Sequence, residues 1–123
     1  MKSRILIPLY EEDVAPRFDL ATEVLIVALD NDGLPKQERV LILPGPSAEQ
    51  ICHLVVTEAV DTVICGAIEA EYYDYLVWKR VQMIDNVIGS YRNALARCVQ
   101  GCLQPGDIIP AVTTAPPQDP GSL

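Results

Sequence analysis

The chain has 123 residues, half of them apolar, and a formal net charge of −8 at pH 7 from 17 acidic and 9 basic residues. This length fits one domain, and this apolar fraction is enough for a hydrophobic core. The negative charge argues against a general nucleic-acid binder, which needs a basic face to displace counterions, and against attraction to an anionic membrane surface. A local anion site is not excluded, because net charge says little about a single pocket.

The first apolar run ends at Pro8, and residues 11–13 are all acidic. This run is too short for a signal peptide, and no stretch approaches the roughly 18 apolar residues of a membrane span. We therefore expect a cytoplasmic protein. The chain contains four cysteines: Cys52, Cys65, Cys98 and Cys102. In that compartment they should be reduced, and since they form no CxxC pair we expect no zinc ribbon.

Three strands are predicted at the start of the chain. Apolar runs indicate strands over residues 3–8, 23–29 and 38–43. The sequence Asp-Asn-Asp-Gly at residues 30–33 is typical of a turn, so the second and third strands should form an antiparallel hairpin.

Helices and strands then alternate. Ser47 followed by Gln50 is typical of a capping box, which predicts a helix over residues 48–59. A short apolar run predicts a strand over residues 61–65, and a helix is expected over residues 69–78.

The last predicted elements are a strand over residues 81–84 and a helix that Asp85 or Asn86 caps and that runs to about Leu103. Its apolar stripe would comprise Ile88, Tyr91, Leu95, Cys98 or Val99, and Cys102. We expect a domain over residues 1–104, followed by a flexible tail over residues 105–123, rich in proline from Pro110 on.

The resulting order, β-β-β-α-β-α-β-α, predicts an α/β protein of the ribonuclease H-like fold, with a five-stranded mixed sheet flanked by helices. On open α/β sheets, ligands favour the carboxyl ends of strands at a point where the strand order switches. That edge should collect the loop after Pro8, the turn at residues 65–67 and the segment after Ile84.

Two stretches resemble the dinitrogenase iron–molybdenum cofactor biosynthesis family, which includes NifX-type carriers and the C-terminal domain of NifB. The family pattern V-x-P-H-F-G-x-A corresponds to VAPRFDLA at residues 14–21, and its C-G-G-I-G segment corresponds to CGAIE at residues 65–69. The resemblance covers about residues 3–103. Arg17 stands where the family has histidine, and Asp19 where it has glycine.

The resemblance implies a non-enzymatic carrier or scaffold, related to nitrogen fixation, for an iron- or molybdenum-containing sulfur cluster or its anionic precursor. Its partners would be proteins that donate or accept the cluster. The implied binding residues are Arg17, Phe18, Cys65, Gly66, Ala67 and Ile68, with Cys65 as the metal ligand. Because arginine stays charged and donates hydrogen bonds, Arg17 would hold an anion rather than ligate a metal.

Each of these residues also has a structural interpretation. Arg17 either clamps an anionic ligand or forms a salt bridge to one of the acidic residues near it, Glu11, Glu12, Asp13 or Asp19. Cys65 is either a thiolate ligand or a small core residue, and burial is the commoner fate of cysteine. Gly66 either lets a ligand approach the backbone or simply makes the turn.

Other candidate residues favour structural roles. Cys98 and Cys102 stand four residues apart and should share one apolar helix face, so core packing is favoured over metal binding. His53, the only histidine, is expected to be exposed or half-buried. Tyr72, Tyr73, Tyr75 and Trp78 crowd one predicted helix. They predict a mixture of a stacking or subunit surface and partial core packing with solvent-exposed polar groups, and this helix is the expected dimer surface.

Enzymatic activity is not expected. A ribonuclease H-like nuclease needs several carboxylates that converge on metal ions, and the first strand carries none. No nucleophile–base pair is visible either. The alternative to a cluster carrier is an interaction module of the same fold that has lost cluster binding, with the tyrosine-rich helix or the tail contacting a partner.

Overall fold

The structure is a computed structural model, and it describes residues 3–110. One mixed sheet forms its centre. In this part of the chain the sheet has six strands: β1 (Ser3–Tyr10), β2 (Asp13–Val14), β3 (Glu23–Leu29), β4 (Pro35–Ile42), β5 (Thr62–Ile64) and β6 (Gln82–Ile84). The order of the strands across the sheet is β4-β3-β1-β5-β6, and β2 pairs with β1. The predicted mixed α/β architecture is therefore confirmed.

Within the described residues, three α-helices accompany the sheet. They are α1 (Ala48–Thr57), α2 (Ala70–Trp78) and α3 (Tyr91–Val99), and a single 3-10 turn covers Phe18–Leu20. With at most 10 residues each, none of these described helices has the length and apolar character needed to cross a membrane.

The strand count differs from the prediction of five because the first loop contains β2. In the register of this pair, Leu9 lies opposite Val14 and Tyr10 opposite Asp13, so the chain folds back on the end of β1. Glu11 occupies the turn with a φ of 56°. A two-residue strand with one apolar side chain leaves almost no periodic signal in the sequence, which is why it was missed.

The hairpin of β3 and β4 is confirmed, with antiparallel pairing from Glu23 opposite Ile42 to Leu29 opposite Pro35. Its turn is held by the Asp30 carboxylate, which accepts hydrogen bonds from the backbone N–H groups of Asp32 at 2.9 Å and Leu34 at 3.0 Å. β4 begins at residue 35 rather than 38, because the exposed edge strand needs no apolar residue to pair with β3.

The first helix begins as predicted. The Ser47 hydroxyl accepts a hydrogen bond from the backbone N–H of Gln50 at 3.2 Å and so caps α1. Ile51 and Val55, one turn apart, are buried against the sheet.

The last helix begins later than predicted. Ser90, and not Asp85 or Asn86, caps α3, and its hydroxyl accepts the backbone N–H of Asn93 at 3.3 Å. Asn86 and Gly89 have φ values of 58° and 125°, a backbone conformation that a right-handed helix cannot contain. The helix also ends earlier, at Val99. The predicted apolar stripe was therefore wrong at both ends, where Ile88 and Cys102 are exposed.

Two hydrophobic cores lie on opposite faces of the sheet. The first contains residues of α1 and α2, such as Ile51 and Leu76, and the second contains Ala94 and Leu95 of α3. β5 contributes side chains to both cores, since Val63 belongs to the first core and its neighbour Ile64 to the second. A strand covered on both faces by apolar side chains agrees with its predicted burial.

The chain continues to pack on the domain beyond α3. Ile109 is 4% exposed in the second core, and its backbone N–H donates to the carbonyl of Ile88 at 2.7 Å. Residues beyond the predicted domain end at 104 therefore contact the domain within the described part of the chain, through a tertiary contact that the sequence does not record. The remainder of the predicted tail, residues 111–123, lies outside the described residues.

Candidate functional site

The first loop and the turn after β5 meet at one edge of the sheet. β1, β5 and β6 run parallel, so their carboxyl ends reach the same edge. There the N–H of Phe18 donates to the carbonyl of Ala67 at 2.9 Å, and the N–H of Ala67 donates to the carbonyl of Pro16 at 2.8 Å. These reciprocal bonds join the two segments that the sequence had placed together.

Gly66 is required by this contact. A Cβ atom added at Gly66 would lie 2.5 Å from the carbonyl oxygen of Pro16, and it would also collide with the carbonyl oxygen of Ala15. Side chains do not tolerate such contacts with backbone atoms. Of the two roles considered for this glycine, the structure shows a close backbone approach, but the approaching group is the protein's own first loop.

The other end of the loop is tied to the start of α3. The backbone N–H of Val14 donates to the carbonyl of Gly89 at 2.9 Å, and that of Tyr91 donates to the carbonyl of Glu12 at 3.1 Å. The sequence had placed the segment after Ile84 at this edge, and these backbone hydrogen bonds join that segment to the first loop. As a result, backbone hydrogen bonds fix the first loop on two sides, to the turn after β5 and to the start of α3. We call it the fastened loop.

Arg17 points away from the core and is exposed, with 55% of its side-chain surface accessible. Its Nε and Nη2 atoms donate to the two carboxylate oxygens of Asp19 at 3.1 and 2.9 Å. Of the two interpretations considered, the salt bridge is therefore the one present. An exposed pair of this kind contributes only about 0–1 kcal/mol, so an incoming anion can replace Asp19 at little energetic loss.

Cys65 is fully buried in the first core. Burial, and secondarily the nearby Asp85 carboxylate, raises the pKa of its thiol from 9.0 to about 12. The thiol therefore stays protonated at neutral pH, whereas a metal ligand must be a thiolate. Within residues 3–110 no group of three or more His, Cys, Asp or Glu side chains could hold a metal ion. The side chains present do not fit direct ligation.

The remaining predicted binding residues divide between surface and core. Phe18 is fully buried, with its ring centroid 6.4 Å from that of Tyr72. Ile68 is half-buried against the same core, whereas Ala67 is exposed. Of the six predicted residues, Arg17 and Ala67 are therefore the ones that present a largely open surface at this edge.

Two cavities flank the fastened loop. The first, of about 380 Å³, is lined by Leu9, Tyr10, Ala15, Pro16, Arg17, Leu20, Ala21 and Thr22. The second, of about 280 Å³, is lined by Asp13, Val14, Pro16, Gly66, Ala67, Asn86, Val87, Ile88 and Gly89. The first combines a mostly apolar wall with one basic residue, Arg17. Its exposed members Tyr10 and Leu20 were missed, and the signal that could have found them is two large apolar side chains flanking a polar loop.

The other candidate residues are dispersed. Cys98 is half-buried and Cys102 exposed, so the shared face predicted for them is interrupted where α3 ends. His53 is exposed, as expected. On α2, Tyr72 and Tyr73 pack partly on the first core while Trp78 is 73% exposed. The partial core packing that was expected is therefore present, and the dimer surface on this helix stays a prediction.

Solved structures of similar fold exist. The crystal structure of PH0822 matches with a TM-score of 0.73 at 15% sequence identity, over 82% of this chain and 92% of that one. A crystal structure of a protein named "putative dinitrogenase (mj0327)", from Methanocaldococcus jannaschii, matches with a TM-score of 0.68 at 19% identity, over 85% of this chain and 94% of that one. An NMR structure of the same protein matches with a TM-score of 0.68 at 20% identity, over 85% of this chain and 93% of that one.

These identities are low, so the likeness establishes a shared fold and not a shared function. No protein-family model matches the sequence, and no curated protein matches it.

Proposed function

We propose that this protein is a non-enzymatic carrier or scaffold that binds an iron- or molybdenum-containing sulfur cluster, or its anionic precursor, as cargo. The name "dinitrogenase" attached to a protein of similar fold supports a nitrogenase-related role. The first-loop and Cys-Gly motifs that resemble the iron–molybdenum cofactor biosynthesis family support the same role. The strand order, with three antiparallel strands beside two parallel ones, supports a ribonuclease H-like fold for the chain.

The observation that carries the proposal is the fastened loop with an exposed arginine at its tip. The reciprocal bonds between residues 16–18 and Ala67 hold the backbone of Arg17 in place. Arg17 lines the cavity of about 380 Å³. A positioned guanidinium beside a partly apolar recess suits a large, weakly hydrated anion such as a metal–sulfur cluster.

Under this proposal the cargo is held by charge and shape and not by a protein thiolate. Cys65 cannot reach the surface without opening the first core, and its raised pKa keeps it neutral. The Asp19 carboxylate competes with the cargo for Arg17. Binding should therefore be reversible, as a carrier requires.

Anaerobic binding of tetrathiomolybdate, and reconstitution with iron, sulfide and molybdate, test the proposal by metal analysis and visible absorption. Arg17→Ala should abolish or strongly weaken binding. Asp19→Asn should strengthen binding, because it frees the guanidinium. Cys65→Ala should leave the amount of bound metal unchanged.

Arg92→Ala is the matched control, since Arg92 is an exposed arginine that forms a comparable ion pair with Glu38, at 2.8 Å, on the α3 side of the sheet. Absence of bound metal in the wild type would contradict the proposal. So would equal losses in the Arg17→Ala and Arg92→Ala variants.

The second candidate is an interaction module of the same fold without cluster binding. Two observations favour it: Arg17 is already paired with Asp19, and Cys65 is inaccessible. The exposed Trp78 on α2 would then contact a protein, which is either a different partner, bound without any cluster, or a second copy of this chain in a homodimer. Sedimentation and pull-down of wild type and Trp78→Ala distinguish these cases, and no association with either protein would remove this candidate.

A further inference from the structure

A third cavity, of about 490 Å³, opens between α1 and α2 on the face of the sheet opposite α3. Glu49, Cys52 and His53 of α1 line one side, and Glu71, Tyr72 and Tyr75 of α2 line the other. The spacings of three and four residues place each set on one side of its helix. None of these residues belongs to the edge where the first loop meets the turn after β5.

The two carboxylates of this cavity have no cation of their own. Neither Glu49 nor Glu71 forms a side-chain hydrogen bond or an ion pair within the described chain, whose four ion pairs all involve other acidic residues. Each lies in the first turn of its helix, where the helix N-terminus tolerates a negative charge. Both are therefore stable without a partner and remain available to one.

The negative field acts on the groups between the two helices. Glu49 contributes to the raised pKa of Cys52, and Glu71 and Glu49 contribute to the raised pKa of Tyr72, in each case after desolvation by burial. The thiol and the phenol therefore stay neutral. The cavity keeps two negative charges over neutral aromatic walls.

The aromatic rings suit a cation as well. The Nζ atom of Lys79 lies 5.7 Å from the ring centroid of Tyr75 and 5.0 Å from that of Trp78. This part of α2 thus already accepts a cation at its rings. Tyr75 is 40% exposed, so part of its surface remains open to a second group.

We infer that the cavity between α1 and α2 is a docking site for an arginine side chain of a partner protein, with Glu49 and Glu71 binding the guanidinium and the tyrosine rings stacking on it. Guanidinium fits better than ammonium because it is planar, weakly hydrated, able to bind carboxylates bidentately and able to stack on aromatic faces. The net charge of −8 further favours approach of a basic segment. This site is independent of cargo binding at Arg17.

Titration of the full chain with three short peptides, followed by NMR shifts of the Tyr72 and Tyr75 signals, tests the inference. The peptides differ at one central position, which is arginine, lysine or citrulline. The arginine peptide should give saturable shifts. The lysine peptide should bind at least threefold more weakly, and the uncharged citrulline peptide should give no saturable shift.

Glu49→Gln and Glu71→Gln should each lower the affinity for the arginine peptide about two- to fivefold, as expected for partly exposed ion pairs and cation–π contacts. Glu12→Gln, an exposed carboxylate whose backbone contacts α3, should leave the affinity unchanged. Equal binding of the arginine and citrulline peptides to wild type would overturn the inference even if a variant failed to fold. The inference would also be overturned if the lysine peptide bound as tightly as the arginine peptide. The same holds if Glu12→Gln lowered the affinity as much as Glu49→Gln or Glu71→Gln.

Discussion

Cys65 and Gly66 are adjacent in the chain but are constrained by different parts of the molecule. The side chain of Cys65 lies inside the first core, whereas Gly66 faces the backbone of the first loop. Both residues match a motif that suggests ligand binding, and both are explained by packing in this chain. Arg17, on the first loop, instead keeps its side chain exposed at this edge, where it is paired with Asp19.

Gly66→Ala should lower the free energy of unfolding by about 1–3 kcal/mol, the range for overpacking a tight contact. The added methyl group would push the loop away from the turn and strain the bond from the Ala67 N–H to the Pro16 carbonyl. Urea unfolding measures this loss. Gly45→Ala is the control, because a Cβ there meets nothing within 4 Å, and a loss as large in that variant would contradict the explanation.

At the scale of elements, a serine cap marks where α1 and α3 begin. Ser47 and Ser90 each accept a backbone N–H from the residue three positions later. α1 begins where its sequence predicts. α3 begins five residues after Asn86, since the left-handed residues Asn86 and Gly89 first turn the chain back toward Gly66.

Ser47→Ala should lower the free energy of unfolding by about 1 kcal/mol, because a backbone N–H at the start of α1 loses its acceptor. Gln50→Ala is the matched change. It keeps the donor, which is a backbone atom, and should cost less than about 0.5 kcal/mol. Thermal or urea unfolding of both variants measures these losses. If the two variants lost equal free energy of unfolding, that result would contradict the capping role of Ser47.

At the scale of the whole molecule, the sheet separates two cores that place the cysteines in different environments. Cys52 and Cys65 lie in the first core, Cys98 packs at the margin of the second, and Cys102 is exposed. Burial of the two thiols in the first core raises their pKa values from 9.0, to about 11 for Cys52 and about 12 for Cys65.

The raised pKa values predict a loss of stability at alkaline pH. Between about pH 9 and pH 11 the unfolded chain releases thiol protons that the folded chain keeps, so the free energy of unfolding falls as pH rises. Cys65→Ala should make this dependence shallower by up to about 1.4 kcal/mol per pH unit. Urea unfolding at several pH values measures the slope.

Val63→Ala is the control for this measurement, since it truncates a buried side chain of the same core without removing a titrating group. It should lower stability at every pH and leave the slope as in the wild type. A slope that Cys65→Ala does not change would contradict burial of the neutral thiol.

Much of the fold could be predicted because its signals are local. Apolar runs marked β1, β3 and β5, the turn at residues 30–33 marked the hairpin, and Ser47 marked the start of α1. Element order then indicated that the carboxyl ends of β1 and β5 would share an edge. Such patterns carry the information because helix and strand periodicity reflects which face of each element is buried.

The sequence by itself therefore determined the mixed α/β architecture and which three segments would meet at the candidate site, namely the loop after Pro8, the turn at residues 65–67 and the segment after Ile84. Tertiary structure alone decided what Cys65 and Gly66 do there: Cys65 is enclosed by the first core, and Gly66 admits the Pro16 carbonyl. It also created the cavity between α1 and α2. Burial of a side chain and close approach of two backbone segments depend on residues distant in the chain, and no local pattern records those contacts.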